Sequence, residues 1–309
     1  MDLSLQSSLK NLPSPPSGRV GWPWTTETSV PADEKTVSWP RITIVTPSFE
    51  QARFLEECIR SILLQNYPNT EYVIIDGGSS DGSAEVIARY AQHIAYWQSQ
   101  KDRGQGDAIN QGFAHATGDI VGWINSDDLL LPGALFAVAR EFLRGRPDIV
   151  YGDALNAYDN DCTLEYWQGY WLIPSFLQFG GMISSHSVFW RRSIHVPIWA
   201  DLHCNIDGEL WQRLVPGRRL RYLPQPLGVC RIHDETKSNS ERWREKWHQD
   251  DEIIWARHGR PTTNRVFRFL FRKAQGIFKW LSWRRSKLAK RSTIEACQWA
   301  DRGWRGPRP

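Results

Sequence analysis

Two adjacent aspartates end an apolar run near the middle of the chain. In the stretch WINSDDLLLPGAL, Trp123 and Ile124 are typical of strand interior, Asp127 and Asp128 follow, and Pro132 is typical of a helix's first turn. Neighbouring carboxylates repel each other, and burial raises the cost of their charge. Such a pair needs either water around it or a positive partner. The pair is therefore a candidate divalent-cation site, with a solvated loop or a helix cap as the alternative.

The segments around this pair predict an α/β fold. Five strand-like runs alternate with four helical patterns, which favours a mostly parallel central sheet with helices on both faces. The strand runs are RITIVTPS, TEYVIID, AYWQSQ, DIVGWIN and PDIVYGD, and the helical patterns are FLEECIRSILLQ, SAEVIARYAQHI, DAINQGFAHAT and LPGALFAVAREFL. Ligands of such sheets bind beyond the carboxyl ends of the strands. We therefore expect Asp127 and Asp128 to lie at the ligand-binding edge.

Composition narrows the class of protein. The chain has 309 residues, of which 23% are charged and 41% hydrophobic, as in a soluble globular protein with one large domain or two small ones. Its 5 cysteines show no CxxC spacing, so neither a zinc knuckle nor a disulfide framework is expected, and a reduced cytoplasmic compartment is the default. We predict no signal peptide and no membrane-spanning helix, because no run of about 18 apolar residues occurs.

The loops after the strands favour a nucleoside diphosphate held through a metal ion. The dinucleotide-binding pattern GxGxxG is missing after the first strand, where TPSFEQ stands, and the phosphate-binding pattern GxxxxGK[ST] is also missing. Several carboxylates with few lysines nearby suit a hard divalent cation, which binds oxygen ligands and substrate phosphates. Such a cation would neutralise both the aspartate pair and the diphosphate.

Two longer stretches carry a resemblance to a known family. They are ITIVTPSFEQARFLEECIRSILLQNYPNTEYVIIDGGSSDGS and DRGQGDAINQGFAHATGDIVGWINSDD. From about residue 41 to residue 240 the chain resembles the family 2 glycosyltransferases with the GT-A fold, in particular their WcaA or colanic-acid type. The resemblance implies a metal-dependent, inverting transferase of the hexosyltransferase class. It would move a sugar from a nucleotide-diphosphate donor, with UDP-sugar favoured, to an acceptor hydroxyl in polysaccharide or glycoconjugate biosynthesis.

The resemblance also implies roles on the donor side of the site. Thr46, Pro47 and Glu50 would line the nucleotide base. Many relatives carry asparagine at the position of Glu50, so this contact is expected to differ. Asp76 would accept a hydrogen bond from the base imide, which favours uridine, and Asp107 would lie near the nucleoside.

Further implied roles concern the cation. Asp128 and His233 would bind a divalent cation, Mn²⁺ or Mg²⁺, and Asp127 would lie nearer the ribose. The remaining histidines, His186 and His195 among them, are expected to be structural.

The transfer step needs a base and an acceptor site. The resemblance gives the role of general base to Asp207, in NIDGELWQRL, and places Arg231 near the diphosphate. As an alternative, Asp207 and Glu209 begin a helix whose dipole favours carboxylates. Residues 154–204, rich in Trp and Tyr, are expected to recognise a sugar or lipid-linked sugar acceptor. The competing functions are a non-catalytic nucleotide-sugar-binding scaffold and a nucleotidyltransferase, whose first loop is usually glycine-rich and basic, unlike TPSFEQ.

Charge divides the chain into an acidic body and a basic tail. Residues 260–309 carry 14 Lys and Arg against 2 Asp and Glu, whereas residues 1–259 carry 24 against 32. We predict a mostly disordered leader at residues 1–39, a GT-A glycosyltransferase domain at residues 40–259, and a basic amphipathic helical tail at residues 260–309. The apolar stripe of the tail is Phe267, Leu270, Ala274, Ile277, Leu281 and Leu288.

The tail predicts contact with an anionic membrane surface through residues 262–291. That contact would make the protein cytoplasmic and peripheral at the inner face of the cell membrane. Packing of the stripe against the body is the alternative, and no motif favours nucleic acid. In the leader, Trp22, Trp24 and Trp39 are unusual for a disordered segment, and docking on the body would bury them.

Overall fold

The computed structural model describes residues 8–30, 37–158, 163–167, 177, 183–237, 240–261, 263–274, 276, 277 and 280. The helices are α1 (Ser8–Asn11), α2 (Ala52–Leu63), α3 (Ser83–Arg89), α4 (Gln105–Ala114), α5 (Ala134–Gly145), α6 (Ile206–Leu214) and α7 (Arg244–His258). Residues 265–274 are also helical. The strands are β1 (Ile42–Ser48), β2 (Thr70–Asp76), β3 (Tyr96–Ser99), β4 (Ile120–Trp123), β5 (Leu129–Leu130), β6 (Ile149–Tyr158), β7 (Thr163–Trp167), β8 (Val188–Arg191) and β9 (Leu220–Ile232).

The described strands form one sheet in the order β3-β2-β1-β4-β8-β6-β9-β5, with β7 beside β6. β1 pairs in parallel with β2 and β4, β2 with β3, and β6 with β9, so most paired residues are parallel. The predicted fold class is confirmed, and the five expected strands are β1, β2, β3, β4 and β6. All 7 residues of β1 are buried, as expected for a parallel strand covered on both faces.

Sequence reasoning missed the strands β5, β7, β8 and β9. β5 has 2 residues, too few to show a period. β9 contains Pro224 and Pro226, which argue against a central strand, and its register with β6 shifts on both sides of Asp153, opposite these prolines. β8 lies antiparallel between β4 and β6. These strands complete the sheet beside the aspartate pair.

Side chains of β1 alternate between two apolar layers. Ile42 and Ile44 pack in the layer formed with α2, α3 and α5, whereas Val45 packs in the layer formed with α4, α6 and α7. In the second layer, the ring of Trp123 at the end of β4 stacks on Trp211 of α6, with centroids 5.6 Å apart. This contact fixes the residues that follow β4 relative to the first turn of α6.

The expectation of a mostly disordered leader is wrong for residues 8–30, which pack against the body. Arg60 of α2 is fully buried, and its guanidinium donates to the carbonyls of Pro13, Pro23 and Trp24. The Trp22 indole nitrogen donates to the carbonyl of Leu130 at 3.0 Å. The leader is ordered because it supplies the acceptors that a buried arginine requires. Trp39 is buried as well, while residues 1–7 and 31–36 lie outside the described part of the chain.

The described part of the tail is helical and follows α7. The Asn264 side chain accepts hydrogen bonds from the backbone nitrogens of Val266 and Phe267, which begins the helix. Residues 281–309, with Leu281 and Leu288 of the predicted stripe, lie outside the described residues. In the described part of the chain, no helix is both long enough and apolar enough to cross a bilayer.

Candidate functional site

The loop after β2 is organised around Asp76. This carboxylate is fully buried, and it accepts hydrogen bonds from the backbone nitrogens of Gly78 and Ser79 and from the hydroxyls of Ser79 and Ser99, the latter two at 2.6 Å. Gly78 has a φ of +79°, a conformation that favours glycine. Asp76 therefore shapes the loop in this structure. Reading a nucleotide base, its predicted role, would require a serine hydroxyl to release the carboxylate.

The loop after β1 is tied to the same turn. Thr46 is buried and accepts from the Tyr72 hydroxyl at 3.1 Å, and Pro47 is a buried residue of β1. Glu50 has a φ of +53°, and its carboxylate accepts from the backbone nitrogen and hydroxyl of Ser80. Glu50 thus joins the two loops, and this contact differs from the base contact that the resemblance implied.

The two adjacent aspartates occupy different environments. Asp128 is 2% exposed, and its carboxylate accepts from the Asn125 amide at 3.1 Å and from the backbone nitrogen of Arg231 at 3.2 Å. Burial, with a further contribution from Asp127, raises the pKa of Asp128 well above its usual range. Asp127 lies nearer the surface, where its Oδ2 is 3.3 Å from His233 Nε2. The predicted metal ligand His233 therefore contacts Asp127 instead of Asp128.

A second histidine and a cysteine surround Asp128. His186, in the 3-10 turn Ser185–Ser187, has its Nδ1 3.7 Å from Asp128 Oδ2. Metal-ligating atoms of Asp128, His186 and Cys230 all lie within 4.8 Å of one another. Burial lowers the pKa of His186 to about 4, which keeps the ring in the neutral form that binds metals. His186, which is expected to be structural, thus lies in a group of side chains that could hold a metal ion.

The register of two strands explains why Cys230 faces the aspartate. β5 pairs antiparallel with β9, with Leu129 opposite Val229, so the preceding Asp128 lies opposite Cys230. No local sequence pattern could have revealed this cluster, because its three residues come from the β4–β5 loop, a 3-10 turn and β9. Only the strand pairing brings them together.

The guanidinium of Arg231 is already paired inside the protein. Its NH2 lies 2.7 Å from Glu57 Oε2, and its Cζ lies 5.0 Å from the ring centroid of Phe54. Both members of the pair are buried. Arg231, which is predicted to lie near the diphosphate, thus has its charge paired with a carboxylate inside the protein. Its side chain neutralises Glu57, and its backbone nitrogen holds Asp128.

A hydrogen-bonded chain that sequence reasoning missed connects three loops to Asp128. Lys237 Nζ donates to Gln105 Oε1 and to the carbonyl of His203, both at 2.8 Å. The Gln105 amide donates to Asn125 Oδ1 at 2.8 Å, and Asn125 in turn donates to Asp128. Burial lowers the pKa of Lys237. This chain brings a cationic side chain toward the aspartate pair and orients the Asn125 amide.

The last two predicted residues lie on helices. Asp107, in the first turn of α4, pairs with Arg103 NH2 at 2.7 Å and accepts from Gln111, and the hydrogen bond from Arg103 lowers its pKa. Asp207, in the first turn of α6, has its pKa raised by burial. Burial, followed by the charges of Asp128, Asp127 and Asp207, raises the pKa of the Cys230 thiol. The Asp207 carboxylate contributes least of these three charges to the pKa of that thiol.

The carboxylates of Asp207 and Glu209, which both lie in the first turn of α6, have different partners. The Glu209 carboxylate is fully buried and pairs with Arg213 and with His258 Nε2. Asp207 accepts a hydrogen bond from the backbone nitrogen of Gly208 at 2.9 Å. Of the two carboxylates, Glu209 is neutralised by basic partners, whereas Asp207 is not paired with a basic side chain among the described contacts. The acceptor segment YWQGYWLIPSF falls largely outside the residues that the structure describes.

Part of the chain is similar to known glycosyltransferases. Residues 43–191 match the family Glycosyl transferase family 2. The uncharacterized glycosyltransferase Rv1514c of Mycobacterium tuberculosis is 36% identical over 110 residues, which are 35% of this chain and 42% of the relative. The chain therefore spans less than half the length of this relative.

Two solved structures share the fold. S. aureus TarS 1-349 in complex with UDP-GlcNAc aligns with a TM-score of 0.54 at 14% identity, over 70% of this chain and 67% of that one. The mannosyltransferase PcManGT of Pyrobaculum calidifontis, in complex with GDP-Man and Mn²⁺, aligns with a TM-score of 0.53 at 20% identity, over 74% and 66%. The predicted GT-A fold is confirmed.

Proposed function

We propose that this chain, whose residues 43–191 match the family Glycosyl transferase family 2, is a metal-dependent inverting transferase. It would move a sugar from a nucleotide diphosphate to an acceptor hydroxyl in polysaccharide or glycoconjugate biosynthesis, as in the WcaA type. The observation that carries this proposal is the cluster of Asp128, His186 and Cys230, with the neighbouring pair of Asp127 and His233, beyond a strand end where parallel sheets bind ligands.

The donor side of the site supports a nucleoside diphosphate. The loops after β1 and β2 are joined by Glu50 and Ser80 into one surface next to the aspartate pair. Asp76 lies at the end of β2, and its carboxylate would select a base with an imide N–H, which favours a UDP-sugar. The basic side chain of Lys237 is linked to Asn125 through Gln105, and its charge would partly offset that of the diphosphate.

The residues around Asp128 fit a divalent cation. The cluster offers a carboxylate, a neutral imidazole and a thiol within mutual reach, and Asp127 with His233 offers a second carboxylate and imidazole beside it. A bound cation would offset the charge that develops on the leaving nucleoside diphosphate. Asp128 would be the ligand that links the two groups, because it belongs to the cluster and directly follows Asp127 in the chain.

The transfer step would use Asp207 as general base. Its carboxylate would take the proton from the acceptor hydroxyl, whose oxygen attacks the anomeric carbon as the bond to the diphosphate breaks. Attack from the face opposite the leaving group inverts the anomeric configuration. A raised pKa makes the carboxylate a stronger base than an exposed aspartate.

The tail supports a membrane surface as a partner. On the described helix, Val266 and Leu270 are 67% and 59% exposed, and Ile277 is exposed as well, whereas Phe271 is buried. Packing on the body therefore covers little of the apolar surface in this part of the tail. Four basic side chains share the helix: Arg265, Arg268, Arg272 and Lys273. Basic and apolar residues together suit an anionic bilayer, and the cytoplasmic leaflet carries that charge.

A screen of nucleotide sugars tests the proposed activity. The full chain is incubated with UDP-, GDP-, CDP- and dTDP-sugars and Mn²⁺, and release of nucleoside diphosphate is measured. Asp207→Asn is the control, because it should bind the donor normally but release roughly 100- to 10,000-fold less diphosphate. Equal release by both chains, with donor binding intact, would favour a non-catalytic nucleotide-sugar-binding protein.

A further inference from the structure

The cluster around Asp128 differs in chemistry from an all-oxygen cation site. Cys230 contributes sulfur and His186 contributes nitrogen, each within 4.8 Å of the other and of the Asp128 carboxylate. Carboxylate, carbonyl and water ligands suit Mg²⁺, Ca²⁺ and Mn²⁺, whereas thiolate and imidazole ligands suit Zn²⁺ and related transition metals. The sulfur, nitrogen and oxygen atoms of this cluster therefore favour a softer cation than two aspartate carboxylates would.

His186 is a buried residue whose two ring nitrogens have different surroundings. The residue is 4% exposed, and among the residues that the structure describes its Nε2 has no hydrogen-bond partner. This unpaired nitrogen is not the one that faces the cluster, so the role of His186 rests on the position of the second ring nitrogen. Its other nitrogen, Nδ1, faces Asp128 Oδ2 at 3.7 Å, a separation that a cation bound to both atoms can span.

The sheet provides the space that this histidine occupies. A Cβ at Gly228 would lie 2.6 Å from the His186 carbonyl oxygen and 3.0 Å from its ring Cδ2, so only glycine leaves room for the turn. Residues 228 and 230 lie two apart on β9, so their side-chain positions share one face of the strand. His186 therefore sits over Gly228 on the face that also carries Cys230.

We infer that Asp128, His186 and Cys230 form a site for a thiophilic divalent cation of the Zn²⁺ or Co²⁺ type. Three protein ligands leave a fourth tetrahedral position for water or a donor phosphate, as in catalytic zinc sites. On binding, the Cys230 thiol loses its proton to solvent and its sulfur donates to the cation. The link to donor chemistry rests on the proposed function, whereas the binding of the cation does not.

Cobalt spectroscopy on the metal-free full chain tests the assignment. Co²⁺ bound to a thiolate shows a near-ultraviolet sulfur-to-metal charge-transfer band, and tetrahedral Co²⁺ shows strong visible bands. We expect both in the unaltered chain and in the control variant Cys204→Ser, whose buried cysteine lies elsewhere. Cys230→Ser should lose the charge-transfer band, and His186→Gln should weaken Co²⁺ binding by at least about 10-fold, as loss of metal-site residues does. Zn²⁺ should displace Co²⁺, in the order of intrinsic affinities.

The cobalt experiment can contradict the sulfur ligand without contradicting the proposed transferase activity. Co²⁺ binding without a charge-transfer band, or with equal affinity in Cys230→Ser and Cys204→Ser, would overturn the sulfur ligand and leave an oxygen-rich site compatible with transfer. Loss of the band in Cys58→Ser alone would also overturn it, because the Cys58 sulfur lies 3.4 Å from the Asn125 carbonyl nearby. Cadmium NMR of the unaltered chain detects a bound thiolate even if a variant fails to fold. Donor turnover is measured separately and can fail while the cobalt result stands.

Discussion

The buried ion pair between Glu57 and Arg231 makes the structural role of Arg231 measurable. Arg231 NH2 lies 2.7 Å from Glu57 Oε2, and the side chains are 5% and 6% exposed, so water and salt screen the pair little. Glu57→Gln would leave the guanidinium charge buried beside a neutral amide. Removing one partner of a buried pair typically costs roughly 3–5 kcal/mol. That loss is a large part of the stability of an ordinary domain, which is about 5–15 kcal/mol.

The chain offers a matched control in the pair between Asp201 and Arg257. Its atoms are equally close, with 2.6 Å between Arg257 NH2 and Asp201 Oδ2, but the side chains are 45% and 47% exposed. Exposed pairs contribute about 0.2–1 kcal/mol. Asp201→Asn should therefore lower the free energy of unfolding by no more than about 1 kcal/mol. The two substitutions remove the same kind of charge, so burial is what distinguishes them.

Urea unfolding of the full chain, followed by tryptophan fluorescence, measures both costs. The reasoning fails if Glu57→Gln loses no more stability than Asp201→Asn, because the pair would then be hydrated in solution. UDP binding adds a second readout. If Glu57→Gln binds UDP with Mn²⁺ more tightly than the unaltered chain, the released Arg231 reaches the diphosphate, as the sequence analysis predicted. We expect no gain, because the Arg231 side chain is buried against Phe54.

The remaining predictions concern the base, the donor and the tail. Because burial raises the pKa of Asp207, and a general base acts only when deprotonated, turnover should fall as pH decreases through that raised pKa. An unchanged acidic limb in Asp207→Asn would assign the limb to another group. UDP should bind more tightly than CDP by about 1–3 kcal/mol, and this difference in binding free energy should be smaller in Asp76→Asn. Calorimetry that shows tighter binding of GDP than of UDP would contradict the uridine assignment. The full chain should cosediment with anionic vesicles, and high salt should partly release it. A chain that ends at Arg260 should stay in the supernatant. Equal sedimentation of the two chains would refute membrane contact through the tail.

Local sequence was sufficient for the framework of the protein. The alternation of strand and helix periods predicted β1, β2, β3, β4 and β6 with the helices between them, because each pattern reports which side chains face the core. It also placed the aspartate pair at the carboxyl edge of the sheet, since parallel strands end at a common edge. These conclusions depend on interactions within a few residues of each other.

The leader illustrates what local patterns do not contain. Its residues have no apolar period, so the sequence suggested disorder, yet Trp22 and Trp24 are buried. The reason lies in α2, where the buried Arg60 needs carbonyl acceptors, and Pro13, Pro23 and Trp24 supply them. A segment that is unfavourable to order by itself becomes ordered when it satisfies a buried charge elsewhere.

The cation cluster was decided by tertiary structure in the same way. The sequence identified Asp128 but paired it with His233, which contacts Asp127 instead. His186 and Cys230 reach Asp128 through the antiparallel register of β5 and β9 and through the space left at Gly228. That register joins a two-residue strand to a proline-containing one, and neither carries a periodic signal. Residues that are far apart in sequence meet only after the sheet has formed, so the set of side chains around Asp128 depends on strand pairing that no local pattern encodes.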